Sequence, residues 1–200
     1  MKRVLFFSAV VLLLCSSFSW FQSRDAVVES KSGLGVFIMC EPVQAYDKLF
    51  VVKTAHKSSK YVGGLPVGVV LGIDDPIDRL VQRALRKGRK KNIDAIITSD
   101  ARMAVAIKFR GAPTVDERLR ARPVSISGVD VYVKSKPQSS YLEVATISLK
   151  TENRLTVPGI DTDRLAKMIQ TLIEQGKKAG YTFQGLITSD GVSATLISYK

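Results

Sequence analysis

Apolar residues follow two different periods along this chain. Over 36–40, 48–56, 94–98 and 103–109 they gather in short runs rich in β-branched residues, the chemistry of strands. Between the second and third runs, Ile77, Leu80, Val81, Ala84 and Leu85 fall at i, i+3, i+4, i+7 and i+8, which is one face of a helix. Asp75 and Pro76 stand in front of it as an N-cap and a proline at the first helical position. The same succession then returns. Runs at 130–135, 142–150, 183–188 and 192–199 flank a second helical face of Leu165, Met168, Ile169, Leu172 and Ile173, with Asp161 or Thr162 as its cap.

Residue identities follow the pattern. Ser32 to Ile38 aligns with Ser127 to Val133 at an offset of 127 − 32 = 95, and Pro42 with Pro137 and Tyr46 with Tyr141 keep that offset. Ile77-Asp78-Arg79-Leu80 meets Thr162-Asp163-Arg164-Leu165 at 162 − 77 = 85, and Ile97 to Asp100 meets Ile187 to Asp190 at 187 − 97 = 90. Drifting offsets are what loops of changed length leave between preserved elements. The expected fold is α+β: two tandem ββαββ modules, 32–109 and 128–200, related by pseudo-twofold symmetry. Each is a small antiparallel-rich sheet with one helix packed on it. Residues 20–31 read as an extended or disordered leader. Residues 110–127 read as a basic linker with a short helix over Val115 to Arg120.

The first nineteen residues change the picture. Lys2 and Arg3 precede an apolar run from Val4 to Leu14, and Ser17-Phe18-Ser19 offers small residues at a cleavage site. That is a secretory signal peptide, too short to span a bilayer comfortably. Leu12 to Cys15 resembles a lipobox, with Leu14 where a small residue is usual, so lipidation at Cys15 is the lesser alternative. Cleavage lowers the formal charge of +12 by two, 12 − 2 = +10. It also leaves Cys40 as the one cysteine, so no internal disulfide forms. The expected location is the periplasm or envelope, with no transmembrane span after signal removal.

Candidate chemistry divides into features the halves share and features one half keeps. Asp100 and Asp190 are shared, and two carboxylates could serve a hydrolase or a metal-dependent enzyme in a cleft between modules. Ser-Asp-Ala and Ser-Asp-Gly between apolar runs fit hairpin turns better. Cys40 and His56 belong to the first half alone and are too few for a zinc site. Gly63 to Gly72 lacks the Gly-Lys-Ser/Thr ending of a phosphate loop and reads as a flexible loop that could form a binding lip over a small-ligand pocket. The strongest hint is basic. Arg79, Arg83, Arg86 and Lys90 are spaced 4, 3 and 4 along the first helix, with Lys87, Arg89 and Lys91 extending the patch. Residues 75–91 carry seven positive and two negative side chains, 7 − 2 = +5; residues 161–178 carry 4 − 3 = +1. A solvated helix face is the plain reading of such a stripe. The functional reading is a surface for lipid headgroups or acidic glycan. Nucleic acid is disfavoured by the signal peptide and by the lack of interleaved aromatics.

Val36-Phe37-Ile38-Met39-Cys40-Glu41-Pro42, then Tyr46, Leu49 and Asn92 to Ile97, resemble segments of uncharacterised exported bacterial proteins with strand-plus-helix modules. The helix–Asp-Ala–strand passage is similar, more remotely, to the heavy-metal-binding family of small α/β proteins. Gln184 and Gly185 stand where Asp94 and Ala95 do, which departs from that pattern. The resemblance implies a small, assembly-prone α/β module outside the cytoplasm and no ligand set. The expectation is thus a non-enzymatic binding or structural module of the envelope, without metal or cofactor. Its partner is an anionic envelope component or another envelope protein, met by Arg79, Arg83, Arg86, Lys87 and Lys90. The rival is the enzyme with Asp100 and Asp190.

Overall fold

A computed structural model describes residues 24–53, 61–62, 65–66, 76–99, 102–149 and 162–200. The fold is mixed α/β, mostly strand, with three helices among the described residues and curled sheets. The signal peptide, His56, the Gly63–Gly72 loop as a unit, Asp75 and Asp100 lie outside the described residues.

In chain order the elements begin with β1 (Ala26–Val28), β2 (Ser30–Lys31), β3 (Leu34–Ile38), β4 (Cys40–Pro42) and β5 (Tyr46–Lys53). The pair β6 (Tyr61–Val62) and β7 (Leu65–Pro66) precedes α1 (Pro76–Gly88), β8 (Ala95–Thr98) and β9 (Met103–Phe109). After α2 (Val115–Arg118) come β10 (Arg120–Ile126), β11 (Val129–Val133), β12 (Ser135–Pro137) and β13 (Tyr141–Ser148). The chain ends with α3 (Thr162–Lys178), β14 (Gly185–Thr188) and β15 (Ser193–Tyr199). Strands and helices fall where the apolar periods place them, to within a few residues at their ends.

One five-stranded sheet runs β2-β3-β8-β9-β5, in which only β3 and β8 are parallel. In the larger sheet the order β10-β11-β14-β15-β13 likewise has a single parallel pair, β11 with β14. Irregularities between Lys48 and Phe50 and between Glu143 and Ala145 bend the two outer strands at corresponding places. Before each central strand the chain turns through residues of positive φ: Ser32 and Gly33 at 52° and 80°, Ser127 and Gly128 at 52° and 78°. The second residue of each pair must be able to enter the left-handed region, which glycine does at no steric cost.

Two segments depart from the sequence reading. Residues 26–31, expected as leader, are strands β1 and β2; residues 120–126, expected as linker, are strand β10. The helix in that stretch stops at Arg118, after a capping box in which Thr114 and Glu117 satisfy each other's backbone N–H groups. Strand β1 pairs with β12 on one side and β10 on the other, and β10 in turn pairs with β4. The result is an antiparallel ribbon β12-β1-β10-β4 with Ala26 opposite Ala121 at its middle, both fully buried. Beyond the ribbon, β2 joins the sheet of β3 and the end of β10 joins the sheet of β11. The two arms therefore cross. Each bonds the short strand that follows the other's sheet.

Two apolar clusters result. One gathers the helix faces (Ile77, Leu80, Val81, Ala84; Leu165, Ile169, Leu172, Ile173) over Val36, Ile96, Val131 and Leu186. The other holds Phe37, Ile107, Phe109, Tyr132 and Ile197 around Ala26 and Ala121. Alternation along β3 and β11 feeds both, which is why each strand is buried throughout.

Candidate functional site

Helix α1 buries Ile77, Leu80, Val81 and Ala84 and presents its cations on the remaining surface. They do not form one line. Arg79 and Arg86 are exposed, while Arg83 is half-buried and leans with Lys87 over the rim of the sheet. Lys90 lies past the end of the helix, in the turn that follows Gly88, so the expected helical stripe stops at Lys87. The helix N-terminus is tied to the sheet by Lys31 Nζ donating to Asp78 Oδ1 at 2.7 Å.

The rim is strand β5, outermost in its sheet. Lys87 Nζ donates to the carbonyl of Val51 at 3.2 Å, and Arg83 Nη1 donates to the carbonyl of Lys53. Lys87 and Lys91 also stand over the Phe50 ring, 5.0 and 5.6 Å from its centre, within cation–π range. Between helix and rim runs an open groove of about 540 Å³, lined by Val51, Val52, Lys53, Arg83, Arg86 and Lys87. A second hollow of about 400 Å³ lies at the C-terminal end of the helix, and Arg86 borders both. Among the described residues, no carboxylate pairs with Arg83, Arg86 or Lys87. The groove is thus a positive cleft in which backbone acceptors of β5 are held by side-chain cations that have no carboxylate partner among the described residues.

Asp190 holds its own turn. Its Oδ1 accepts from the N–H groups of Val192 and Ser193 at 2.8 and 3.2 Å, the bonding of an Asx turn. Its counterpart Asp100 lies outside the described residues. Cys40 is buried, and burial pushes its thiol up to about 12, so it stays protonated and unreactive at neutral pH. No group of His, Cys, Asp and Glu among the described residues could hold a metal ion. No helix among them is long and apolar enough to cross a membrane.

A polar cluster that the apolar periods conceal lies inside the second sheet. Tyr199 Oη donates to Asp130 Oδ2 at 2.9 Å and sits 2.6 Å from Tyr132 Oη, which reaches the carbonyl of Arg24 at 3.0 Å. The Arg24 guanidinium pairs with Asp130 at 3.3 Å and stacks 5.1 Å from the centre of the Tyr199 ring. Burial pushes the Tyr132 hydroxyl up to about 12. Burial, and then the bond to Tyr132, raise Tyr199 further. Positions that pair in the same way in the five-stranded sheet carry Gly35, Phe37 and Phe109, with Leu119 lying over Gly35. The signal was in the sequence: Asp130 is the one charged residue of β11, Val129–Val133.

These features define a mixed α/β protein with a cationic groove beside an open strand. No protein-family model matches the chain, and neither a curated protein nor a solved structure matches it.

Proposed function

We propose that the chain is an exported, non-enzymatic binding or structural module of the bacterial envelope that meets an anionic partner through the basic face of α1. The observation that carries this reading is the groove of Arg83, Arg86 and Lys87, which has no carboxylate counter-ion among the described residues. Anionic lipid headgroups or an acidic glycan supply the missing charge. The charged n-region and apolar run at the N-terminus support export.

The architecture belongs to the same proposal. The chain is two ββαββ units about a pseudo-twofold axis that passes between Ala26 and Ala121. Support comes from bonds that recur between aligned positions, at offsets of 134 − 39 = 95 in the earlier segment and 184 − 94 = 90 in the later one. The N–H of Met39 donates to Thr98 O and that of Lys134 to Thr188 O, both at 2.9 Å. Asp94 N–H donates to Ile107 O and Gln184 N–H to Ile197 O, while the side chains of Asp94 and Gln184 accept from Phe109 N–H and Tyr199 N–H. In this reading one unit holds the ligand and the other serves as scaffold.

Charge reversal at Arg79, Arg83, Arg86 and Lys90 tests the binding reading. Each cation near an anionic surface contributes about 1 kcal/mol, so losing four weakens retention on vesicles or acidic glycan by roughly 10³-fold. Retention that is unchanged and indifferent to salt rules the basic face out.

A further inference from the structure

We infer that the groove between α1 and β5 receives an extended acidic segment of a partner protein, which adds to the sheet as a further strand along β5. This deepens the basic-face reading and rests on it. Strand β5 is bonded to β9 from Tyr46 opposite Phe109 to Lys53 opposite Met103, and its other edge has no strand partner among the described residues. The carbonyls of Val51 and Lys53 face that edge, since the side chains of Lys87 and Arg83 reach them there. In an antiparallel ladder a residue points its N–H and C=O to the same side. Val51 and Lys53 therefore offer two donors and two acceptors at two-residue spacing, the pattern that an incoming strand reads.

Cations at an open edge are also a common guard against unwanted strand pairing. Two observations go beyond a guard. Strand β13, the outer strand of the other sheet, takes no bond from a lysine or arginine side chain among the described residues, and Leu142 on it is 56% exposed, so the described part of the fold leaves one outer strand without this protection. And the guarding cations have no carboxylate partner among the described residues. An incoming strand replaces the Lys87 and Arg83 donors at Val51 O and Lys53 O with backbone N–H groups. Acidic side chains on that strand then take up the released cations, with Arg86 beside them. A neutral strand leaves those cations stranded. Headgroups and glycans satisfy the cations but leave the backbone groups of β5 unpaired. Only an extended acidic peptide answers both walls.

The test uses the full chain and fluorescent octapeptides alternating Glu with Val, compared with vesicles containing anionic phospholipid. Two further peptides of unchanged charge carry N-methyl groups on one or the other alternate set of residues. The acidic peptide should bind. Methylating the set that faces β5 should weaken it about tenfold, and methylating the set that faces solvent should not. Val51→Pro, which removes one outward donor, should weaken the acidic peptide as well; a melting curve checks that the variant folds, and the methylated peptides decide the matter if it does not. Equal binding of all three acidic peptides overturns strand addition and leaves the basic face standing. Vesicle binding without peptide binding does the same in favour of a membrane. Loss of both overturns both readings.

Discussion

Replacing Tyr199 by Phe removes one oxygen atom and leaves the packing intact, which isolates the polar cluster around Asp130. The hydroxyl donates to Asp130 at 2.9 Å and lies 2.6 Å from the Tyr132 hydroxyl. Tyr132 keeps its partner at Arg24 O, and Asp130 keeps Arg24 at 3.3 Å, so the chief loss is one bond to a carboxylate that is only 9% exposed. A hydrogen bond to a charged group contributes about 1.5–3 kcal/mol. For a chain of this size that lowers the melting temperature by roughly 3–12 °C. Urea denaturation followed by circular dichroism gives the stability change, and Asp130→Asn with the double variant completes a cycle. If the groups act as a unit, the cycle returns a coupling of about 0.5–3 kcal/mol. Additive single losses, or a Tyr199→Phe protein as stable as its parent, refute the reasoning.

Other expectations follow from the same geometry. Tyr132 and Tyr199 have folded pKa values raised above the ordinary tyrosine value of 10.0, Tyr132 to about 12. The Tyr132 contribution is thus fully present below pH 10 and lost as pH rises through about 12, and Tyr199, raised in the same direction, adds to the alkaline loss; tyrosinate absorbance and stability curves of Tyr132→Phe/Tyr199→Phe should show a flatter alkaline slope than the parent. The Cys40 thiol should resist alkylation at neutral pH in the native chain and react at once in denaturant; rapid native labelling contradicts its burial. Gly191 has φ +75°, and a Cβ there would lie 2.5 Å from Leu165 Cδ1, so Gly191→Ala should cost more than about 1 kcal/mol in urea denaturation. Expressed separately, residues 24–110 and 111–200 should each fail to melt cooperatively and should recover a transition when mixed; two independent cooperative melts would show that the crossed arms are dispensable.

The elements that apolar periodicity can see were legible. Strands declare themselves in β-branched runs such as Ile96-Ile97, and α1 in the spacing of Ile77, Leu80 and Val81, because these residues pack into the core. The arms were not. Ala26-Val27-Val28 is too short a run to declare itself, and Arg120 to Ile126 contains Pro123 and two arginines, a composition that local reasoning assigns to a loop. The strand character of Ala26 to Val28 and of the first half of β10 comes from distant partners, such as Ala26 with Ala121 at 121 − 26 = 95 positions, information no window holds. The basic face was visible in Arg79, Arg83, Arg86 and Lys87, but its division was not, since Arg83 and Lys87 turn to the carbonyls of β5 and Lys90 falls beyond the helix. The tyrosine cluster stayed hidden because Tyr132 and Tyr199 pass for strand aromatics until Arg24 is brought to Asp130.

The crossed arms also set an order in time. Val27 pairs with Lys136, a span of 136 − 27 = 109 positions, so the earliest strand of the described chain waits for one made in its second half. Ala121 meets Pro42 the other way round, at 121 − 42 = 79 positions. Contacts of such separation close late and slow the overall search. A half-synthesised chain can pair β2, β3, β8, β9 and β5, but β1 and β4 stay without their cross-chain partners until the later residues arrive. The seam that joins the two sheets is therefore the last part of the fold to close.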